Sequence, residues 1–175
     1  LAKIGITSAF VVSGGFKEAD ENGKALEKQL ITKAEECGII IAGPNGQGLV
    51  STPVNLCSQI VSPYPPRGDI SIASQSGNIL SALMNLSRLS NIGIARAISV
   101  GNQGQINIAD YLDYFLYDLE TAVVVIYVEG IPDGRRFYES LQTLACKKPV
   151  IIIRGGSTES GAIAAASHTG SMASD

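Results

Sequence analysis

The sequence predicts an α/β fold in which a parallel sheet is covered by helices. Two observations lead to this prediction. Apolar runs of strand length alternate along the chain with longer stretches of helical periodicity. The apolar runs lack the period-two alternation of a strand with one face in water, so both faces of the sheet are expected to be buried.

Six strands are predicted, and nearly all of them lead into Gly, Ser or Asn. They cover residues 9–12, 39–42, 70–73, 95–100, 122–128 and 150–153. Four helices are predicted between the strands, each with an apolar face at helical spacing. They cover residues 24–37, 79–89, 108–117 and 135–145.

The stretch 51–69 is expected to divide the chain. It contains four of the seven prolines and no periodicity, and proline both fixes φ and lacks a backbone donor. We expect an extended linker here, between residues 1–50 and a flavodoxin-like unit over residues 70–175. Because the chain begins without Met and stops seven residues after His168 without an evident closing helix, we expect a fragment of a longer protein.

The composition argues against two classes of partner. The 175 residues are 45% hydrophobic and carry a net charge of −3, so the chain lacks the basic surface that nucleic acid requires. No apolar run reaches the length of about 18 residues that a membrane span needs. The three cysteines show neither a metal-binding nor a paired spacing, which predicts reduced thiols, no metal site and a cytoplasmic protein.

The turn after the third predicted strand is the best candidate for binding an anion. Ser76, Gly77 and Asn78 stand where a buried strand meets a helix, whose first N–H groups and positive dipole end attract phosphate. Ser76 or Asn78 is alternatively the N-cap of this helix, and both roles are compatible. The chain has no Walker phosphate loop and no Gly-x-Gly-x-x-Gly fingerprint, which argues against direct nucleotide binding.

The single histidine, His168, is the candidate for phosphoryl chemistry. It follows the last predicted strand among small residues, so its imidazole is expected to be accessible at the ligand-binding edge of the sheet. A neutral imidazole is a nucleophile that accepts a phosphoryl group. Glu129 ends the fifth predicted strand at the same edge, and a carboxylate there can hold the ring and fix the attacking nitrogen. Taken singly, each residue is also compatible with a solvated loop position.

Five short motifs occur in a family-specific order and cover essentially the whole chain. They lie at residues 43–48, 74–77, 100–102, 127–130 and 167–171. Together they resemble the nucleoside-diphosphate-forming acyl-CoA synthetases. This family includes the ADP-forming acetyl-CoA synthetases and is related to the α subunit of succinyl-CoA synthetase. The resemblance implies a flavodoxin-like CoA-ligase domain, preceded by the C-terminal part of a Rossmann-like CoA-binding domain.

The resemblance also implies a reaction in which acyl-CoA, phosphate and ADP give a carboxylate, CoA and ATP. An acyl phosphate forms first, and its phosphoryl group passes through a histidine to the nucleotide. By motif match His168 is that histidine, Glu129 steadies it, and Ser76, Gly77 and Asn78 begin the helix that faces it.

Further positions follow from the same resemblance. Thr169 and Gly170 are expected in the phosphate site, and Asn45 and Gly46 near the thiol end of CoA. Asn102 is expected in the acyl or phosphate pocket. Gly46 departs from relatives that often carry Cys or Ser there, so any side-chain contact with CoA is lost.

The parts of the family that are missing from this chain set its expected partners. By the resemblance, the chain is expected to lack the first half of the CoA-binding domain and the ATP-grasp domain. CoA is expected as a substrate. ADP or ATP and Mg²⁺ are expected to bind through a separate ATP-grasp domain or subunit. An oligomer is expected, and the chain alone is expected to be inactive. Two alternatives stay open: a non-catalytic CoA- or acyl-CoA-binding regulatory module of the same fold, and an unrelated flavodoxin-like or Rossmann domain that binds a flavin or a dinucleotide.

Overall fold

A computed structural model describes residues 1–60 and 63–156 of the chain. Within these ranges the strands are β1 (Ser8–Phe10), β2 (Ile40–Ala42), β3 (Gly48–Ser51), β4 (Leu56–Gln59), β5 (Arg67–Ser74), β6 (Ile94–Ser99), β7 (Val123–Val128) and β8 (Val150–Arg154). The α-helices are α1 (Glu21–Glu36), α2 (Gly77–Ser90), α3 (Ile108–Tyr117) and α4 (Gly134–Ala145). The predicted α/β fold is confirmed.

Six of these strands form the main sheet, in the order β4-β3-β6-β5-β7-β8. β5, β6, β7 and β8 run parallel, whereas β3 pairs antiparallel with both β4 and β6. The chain leaves β5 through α2 to β6 on one side, and then returns through α3 to β7 on the other side. Such a reversal opens a crevice at the carboxyl ends of the strands, where open parallel sheets bind ligands.

Helices cover the two faces of the main sheet. Leu80 and Met84 of α2 are fully buried in a cluster that includes Ile72 of β5. The next residue of β5, Ala73, belongs to the cluster formed by α3 and α4, in which Phe115 is fully buried. Because successive strand residues face opposite sides of a sheet, α2 covers one face and the α3–α4 pair covers the other. Each fully buried large side chain contributes about 1.5–3 kcal/mol to folding.

The first part of the chain forms a smaller layer. β1 and β2 pair in parallel as a separate two-stranded sheet, and Ala34 of α1 packs against Ile39 and Ile41 beside it. α1 begins at Asp20, whose side chain accepts a hydrogen bond of 2.7 Å from the backbone N–H of Gly23. Lys17 and Glu18, which precede this N-cap, contact Asn102 at the carboxyl edge of the main sheet.

The six predicted strands and four predicted helices are all present, but the linker expected over 51–69 is only partly found. Residues 48–59 instead form the β3–β4 hairpin, whose turn contains Pro53 and Asn55, the latter in the left-handed region. The hairpin joins the main sheet because Leu49 pairs with Ile98 of β6. β3 and β4 are short and mix polar with apolar residues, so their sequence has no periodicity that predicts strands. Their place in the sheet depends on pairing with the distant β6, which neighbouring residues do not indicate. The domain boundaries themselves stay a prediction.

A nearly buried ion pair fastens this hairpin to the rest of the sheet. Arg96 of β6 lies 3.1 Å from Asp118, with side-chain exposures of 14% and 7%, and also donates a hydrogen bond to Ser51 of β3. Burial opposes ionisation of Asp118, but hydrogen bonds from Thr121 and Arg96 outweigh it and lower the pKa of this carboxyl. The charged form is therefore favoured by folding.

Acid should weaken the fold through Asp118. Its pKa in the unfolded chain is about 3.9, so the stabilisation is complete above that pH and is lost as the pH falls through the lower pKa of the folded state. We expect the thermal midpoint to drop below about pH 4, and the drop to be smaller in Asp118→Asn, which is already less stable at pH 7. Thermal unfolding at pH 7 and below about pH 4 measures this effect. Asp113→Asn is the control, because Asp113 is also ion-paired but is half-exposed. Equal acid sensitivity of wild type and Asp118→Asn would contradict the assignment.

Candidate active site

The turns after β5 and β7 are held together by one side chain, Gln75. Its Oε1 accepts hydrogen bonds from the backbone N–H groups of Glu129 at 2.5 Å and Gly130 at 3.1 Å. Its Nε2 donates to the carbonyl oxygen of Gly130 at 2.6 Å. The amide therefore satisfies three backbone groups of a turn that the sheet ladder leaves unpaired, and it fixes the backbone on which Glu129 stands.

Glu129 follows β7 and faces a cleft of about 270 Å³ at the carboxyl edge of the sheet. The cleft is lined by Lys17, Asn45, Gln75, Gly101, Asn102, Gln103, Glu129, Gly130, Ile131 and Pro132. The Oε2 atom of Glu129 is buried and finds no hydrogen-bond donor among the described residues. A buried acceptor without a donor is costly in a folded protein, so this atom is suited to receive an N–H group from outside the described part.

The Tyr127 side chain lies near Glu129, since a Cβ atom on Gly155 would overlap the Tyr127 hydroxyl and would lie 3.2 Å from Cγ of Glu129. Burial of the phenol and the negative charge of Glu129 raise the pKa of Tyr127. The phenol therefore stays neutral at physiological pH.

Asn45 and Asn102 meet on the opposite wall of the cleft. The Nδ2 atom of Asn45 donates to the Oδ1 atom of Asn102 at 3.2 Å, and the Asn102 backbone N–H donates to the carbonyl of Pro44 at 2.8 Å. Gly101, with φ +64°, lies directly against Pro44. The turns after β2 and β6 are therefore in backbone contact, which brings two amide side chains from distant positions together.

Asn102 is further held by two carboxylates. Its Nδ2 atom donates to Oε2 of Glu18 at 2.5 Å and to Oε2 of Glu27 at 2.8 Å. Burial raises the pKa of Glu18, but the hydrogen bonds from Asn102 and from nearby backbone N–H groups outweigh this and lower it overall. Glu27 is 6% exposed and lies 3.4 Å from the Nζ atom of Lys17. Lys17 also donates to the Asn102 carbonyl.

The N-terminus of α2 carries the predicted cap. Ser76 is the N-cap, and its Oγ atom accepts from the backbone N–H of Ile79 at 3.4 Å. The Gln47 side chain lies over Gly77, where a Cβ atom would overlap it, and donates from Nε2 to Oδ1 of Asn78 at 3.3 Å. The amide of Gln47 thus contacts the helix start at which an anion was expected.

The structure brings together three of the residues predicted from sequence, because Asn45, Asn102 and Glu129 line one cleft. Gly46 is buried behind this wall, where a Cβ atom would lie 2.7 Å from both the Phe10 ring and the Ser99 carbonyl oxygen.

The other predicted positions do not line this cleft among the described residues. Ser76, Gly77 and Asn78 lie beside Gln75, at the start of α2. His168, Thr169 and Gly170 lie outside the described residues, so their predicted roles stay predictions.

Several residues of the site were not predicted. Lys17 and Gln75 line the cleft and form hydrogen bonds with partners that are distant in sequence. Tyr127 lies near Glu129, which follows it by two positions. The only sequence signal for Gln75 is its place in the same turn as Ser76. Lys17 has a weaker signal, since it follows a Gly-Gly turn after a predicted strand.

Neither a metal cluster nor a membrane span is found in the part of the chain that the structure describes. No group of three or more His, Cys, Asp or Glu side chains there is placed to hold a metal ion. None of its helices combines the length and the apolar character that crossing a bilayer requires.

The fold and the cleft define a class of α/β domain with a cleft at the carboxyl edge of a parallel sheet, where such domains bind ligands, and here a carboxylate and amide side chains line it. The sequence family described as "Succinyl-CoA ligase like flavodoxin domain" matches residues 67–175. The chain belongs to this family.

Named relatives match almost the whole chain. The α subunit of ADP-forming acetate–CoA ligase I from Pyrococcus furiosus is 43% identical over 169 residues, which are 97% of this chain and 37% of that protein. The ADP-forming acetate–CoA ligase of Methanocaldococcus jannaschii is 40% identical over 173 residues, or 99% of this chain and 24% of that protein.

A solved structure matches equally well. Dinucleotide-forming acetyl-coenzyme A synthetase 1 of Ca. Korarchaeum cryptofilum, in complex with phosphate and ADP, superposes with a TM-score of 0.91 at 39% identity, over 99% of this chain and 38% of that one. The chain therefore spans between about a quarter and two fifths of the length of these proteins.

Proposed function

We propose that the protein is a nucleoside-diphosphate-forming acyl-CoA synthetase and that this chain supplies its phosphoryl-transfer site. The overall reaction is acyl-CoA + phosphate + ADP ⇌ carboxylate + CoA + ATP. One observation carries the proposal beyond the family match: Glu129 lines the cleft, and its buried Oε2 atom has no donor among the described residues. An imidazole N–H is a donor that fits this acceptor.

The proposed reaction has three balanced steps. A phosphate oxygen attacks the thioester carbonyl, the carbon–sulfur bond breaks, and CoA leaves as the thiolate that takes up a proton. The unprotonated nitrogen of His168 then attacks phosphorus, and the carboxylate leaves as the phosphorus–oxygen bond to the acyl group breaks. Finally an oxygen of ADP takes the phosphoryl group from His168 and forms ATP.

Glu129 has a defined task in the second step. By accepting a hydrogen bond from one ring nitrogen, it would leave the other nitrogen with the free electron pair that attacks phosphorus. Its negative charge would also stabilise the positive charge that the ring acquires when it is phosphorylated. Gln75 supports this task because it holds the backbone of Glu129 in place.

The remaining residues would bind the acyl group, phosphate and CoA. Asn45 would offer its second amide N–H to the acyl or phosphate oxygens, and Asn102 would hold Asn45 in this pocket through its Oδ1 atom. Lys17 is the only cation among the described residues that line the cleft. The backbone at Gly46 would contact CoA near its thiol. The α2 N-terminus at Ser76, Gly77 and Asn78, with Thr169 and Gly170, would bind the phosphoryl group of His168.

The nucleotide and Mg²⁺ would be held outside this chain. The relatives contain much additional length, and the similar Korarchaeum protein was solved with ADP and phosphate. We therefore assign the nucleotide to an ATP-grasp part, fused or separate, in an oligomeric enzyme, and expect the chain alone to be inactive. Three free cysteines support placing the protein in the cytoplasm.

Radioactive labelling of the full-length protein tests the proposal. Incubation with Mg²⁺ and ATP labelled at the γ-phosphate should give a protein-bound phosphate that is labile in acid and stable in alkali, and unlabelled ADP should remove it. His168→Ala should carry no label while retaining the wild-type circular dichroism spectrum. Equal labelling of His168→Ala would contradict the proposal, and so would CoA binding without any labelling of the wild type, which indicates a regulatory module.

A further inference from the structure

Asn102 has a hydrogen-bond partner on each of its polar atoms. Its backbone N–H donates to the Pro44 carbonyl at 2.8 Å, and its own carbonyl accepts from Nζ of Lys17. Its side-chain nitrogen donates to two carboxylates, Glu18 at 2.5 Å and Glu27 at 2.8 Å. An amide nitrogen carries two hydrogens, so none is left to donate to a ligand, although Asn102 lines the cleft.

The two carboxylates decide which way this amide faces. A carboxylate accepts hydrogen bonds and has no hydrogen to donate, so the nitrogen of Asn102 must face Glu18 and Glu27 and the oxygen must face away. That oxygen accepts from Nδ2 of Asn45 at 3.2 Å. Asn45 has to present its nitrogen here, because its oxygen would meet another oxygen. The orientation of the Asn45 amide is thus set by acidic side chains that are not among the described residues lining the cleft.

Glu27 is the more buried of the two carboxylates. It is 6% exposed on α1, 75 positions from Asn102, whereas Glu18 is half-buried. Its Oε1 atom lies 3.4 Å from Nζ of Lys17, so a positive charge accompanies the buried negative charge. Its Oε2 atom accepts from Asn102. The two oxygens of Glu27 therefore hold two residues of the cleft wall at once.

We propose that Glu27 is a positioning residue, which fixes the amide of Asn102 and thereby leaves an N–H group of Asn45 to bind an oxyanion in the cleft. This inference rests on the proposed function, in which the oxyanion is the carboxylate of the acid or phosphate. Asn45 and Lys17 line the same cleft, and an amide donor beside a cation suits a negatively charged oxygen.

Steady-state kinetics of the full-length protein tests this role, with phosphate and with the acid that the wild type turns over fastest. Glu27→Gln keeps the size and one acceptor oxygen, which can satisfy Asn102 or Lys17 but not both. It should raise the KM for at least one of the two oxyanions by about 10-fold, as expected for a weakened hydrogen bond to a charged group. The kcat should change by less than about 2-fold, since binding is weakened equally in ground and transition states. The substrate whose KM rises identifies the oxyanion that Asn45 binds.

Glu36→Gln is the matched control. Glu36 lies on the same helix and pairs with Lys33 at 2.8 Å, but its side chain is exposed. This variant should keep both KM values of the wild type.

A double-mutant cycle with Asn45 separates positioning from a general effect on the fold. In an Asn45→Ala background, Glu27→Gln should change the same KM by less than about 2-fold, because the group that it positions is gone. A substitution that only loosened the fold would raise the KM in both backgrounds.

Glu18→Gln gives a second approach to the same amide. Oε1 of Glu18 accepts from the backbone N–H of Gly15 at 2.6 Å, while Oε2 accepts from Asn102. A glutamine that keeps the first contact must turn its nitrogen toward the nitrogen of Asn102. The same KM should therefore rise to a similar extent, while the ion pair of Lys17 with Glu27 stays intact. This variant remains informative if Glu27→Gln folds poorly.

The outcomes separate the two proposals. If the wild type is labelled on His168 but Glu27→Gln keeps both KM values, or raises them equally with and without Asn45, the positioning role is wrong and the proposed function stands. An effect of Glu27→Gln without one of Glu18→Gln would assign the loss to Lys17 and would also overturn the role. If the wild type is not labelled at all, the proposed function fails first.

Discussion

Glu129→Gln in the full-length protein should slow phosphorylation of the enzyme by about 100-fold or more. Glutamine keeps the shape of the side chain, but it replaces one acceptor oxygen with a donor nitrogen and removes the negative charge. The histidine would then lose the partner that selects its tautomer, and the phosphorylated ring would lose a stabilising charge.

Rapid-quench measurement of labelled enzyme gives this rate directly. The affinity for nucleotide should be unchanged, because ADP and ATP are assigned to another part of the protein. Glu139→Gln is the control, since Glu139 is exposed on α4 and its carboxylate pairs with Arg135 at 3.1 Å. A labelling rate for Glu129→Gln within a few-fold of wild type would remove Glu129 from the mechanism.

Gly101→Ala should destabilise the protein by about 3 kcal/mol, from about 1–2 kcal/mol for an alanine in the left-handed region and a further 1–3 kcal/mol for overlap. A Cβ atom there would overlap the Pro44 carbonyl oxygen and would lie 2.8 Å from the Gly46 backbone nitrogen. Both are backbone atoms, so neither can move aside cheaply. The wall that carries Asn45 and Asn102 would shift with them.

Gly38→Ala separates the cost of the left-handed backbone from the cost of atomic overlap. Gly38 has the same φ of +64° as Gly101, but a Cβ atom there meets nothing within 4 Å. It should therefore show only the backbone cost, whereas Gly101→Ala should lower the thermal midpoint by about 6–12 °C and raise the KM for acyl-CoA. Equal midpoints for the two variants would show that the contact with Pro44 carries no strain.

Local signals in the sequence were sufficient for most of the fold. The helix predicted at residues 108–117 has those bounds in the structure, where Asn107 and Asp110 form a capping box. Of the two predicted N-cap residues, Ser76 is the N-cap and Asn78 lies inside the helix. These features depend on neighbours within one helical turn, which is why they can be inferred from one sequence.

Features that depend on distant partners were less predictable. β3 is a strand because it pairs with β4 and with the distant β6, and Lys17 contacts Asn102, 85 positions away. The role of Gln75 is not predictable from its neighbours for a similar reason, since its hydrogen bonds reach residues 54 and 55 positions away. Glu129 is predicted from its place at the end of a strand, Asn45 and Asn102 follow from the family resemblance, and the strand topology explains why the three meet.

The anchor formed by Gln75 divides the wall of the cleft into a fixed and an adjustable part. Its hydrogen bonds end at Gly130, whereas Ile131 and Pro132 continue along the same wall beyond it. Under the proposed function, substitutions at these two positions would reshape the space for an acyl group without turning the carboxylate of Glu129. The proposed enzyme could in this way serve acids of different size, with the variation confined to the residues after the anchor.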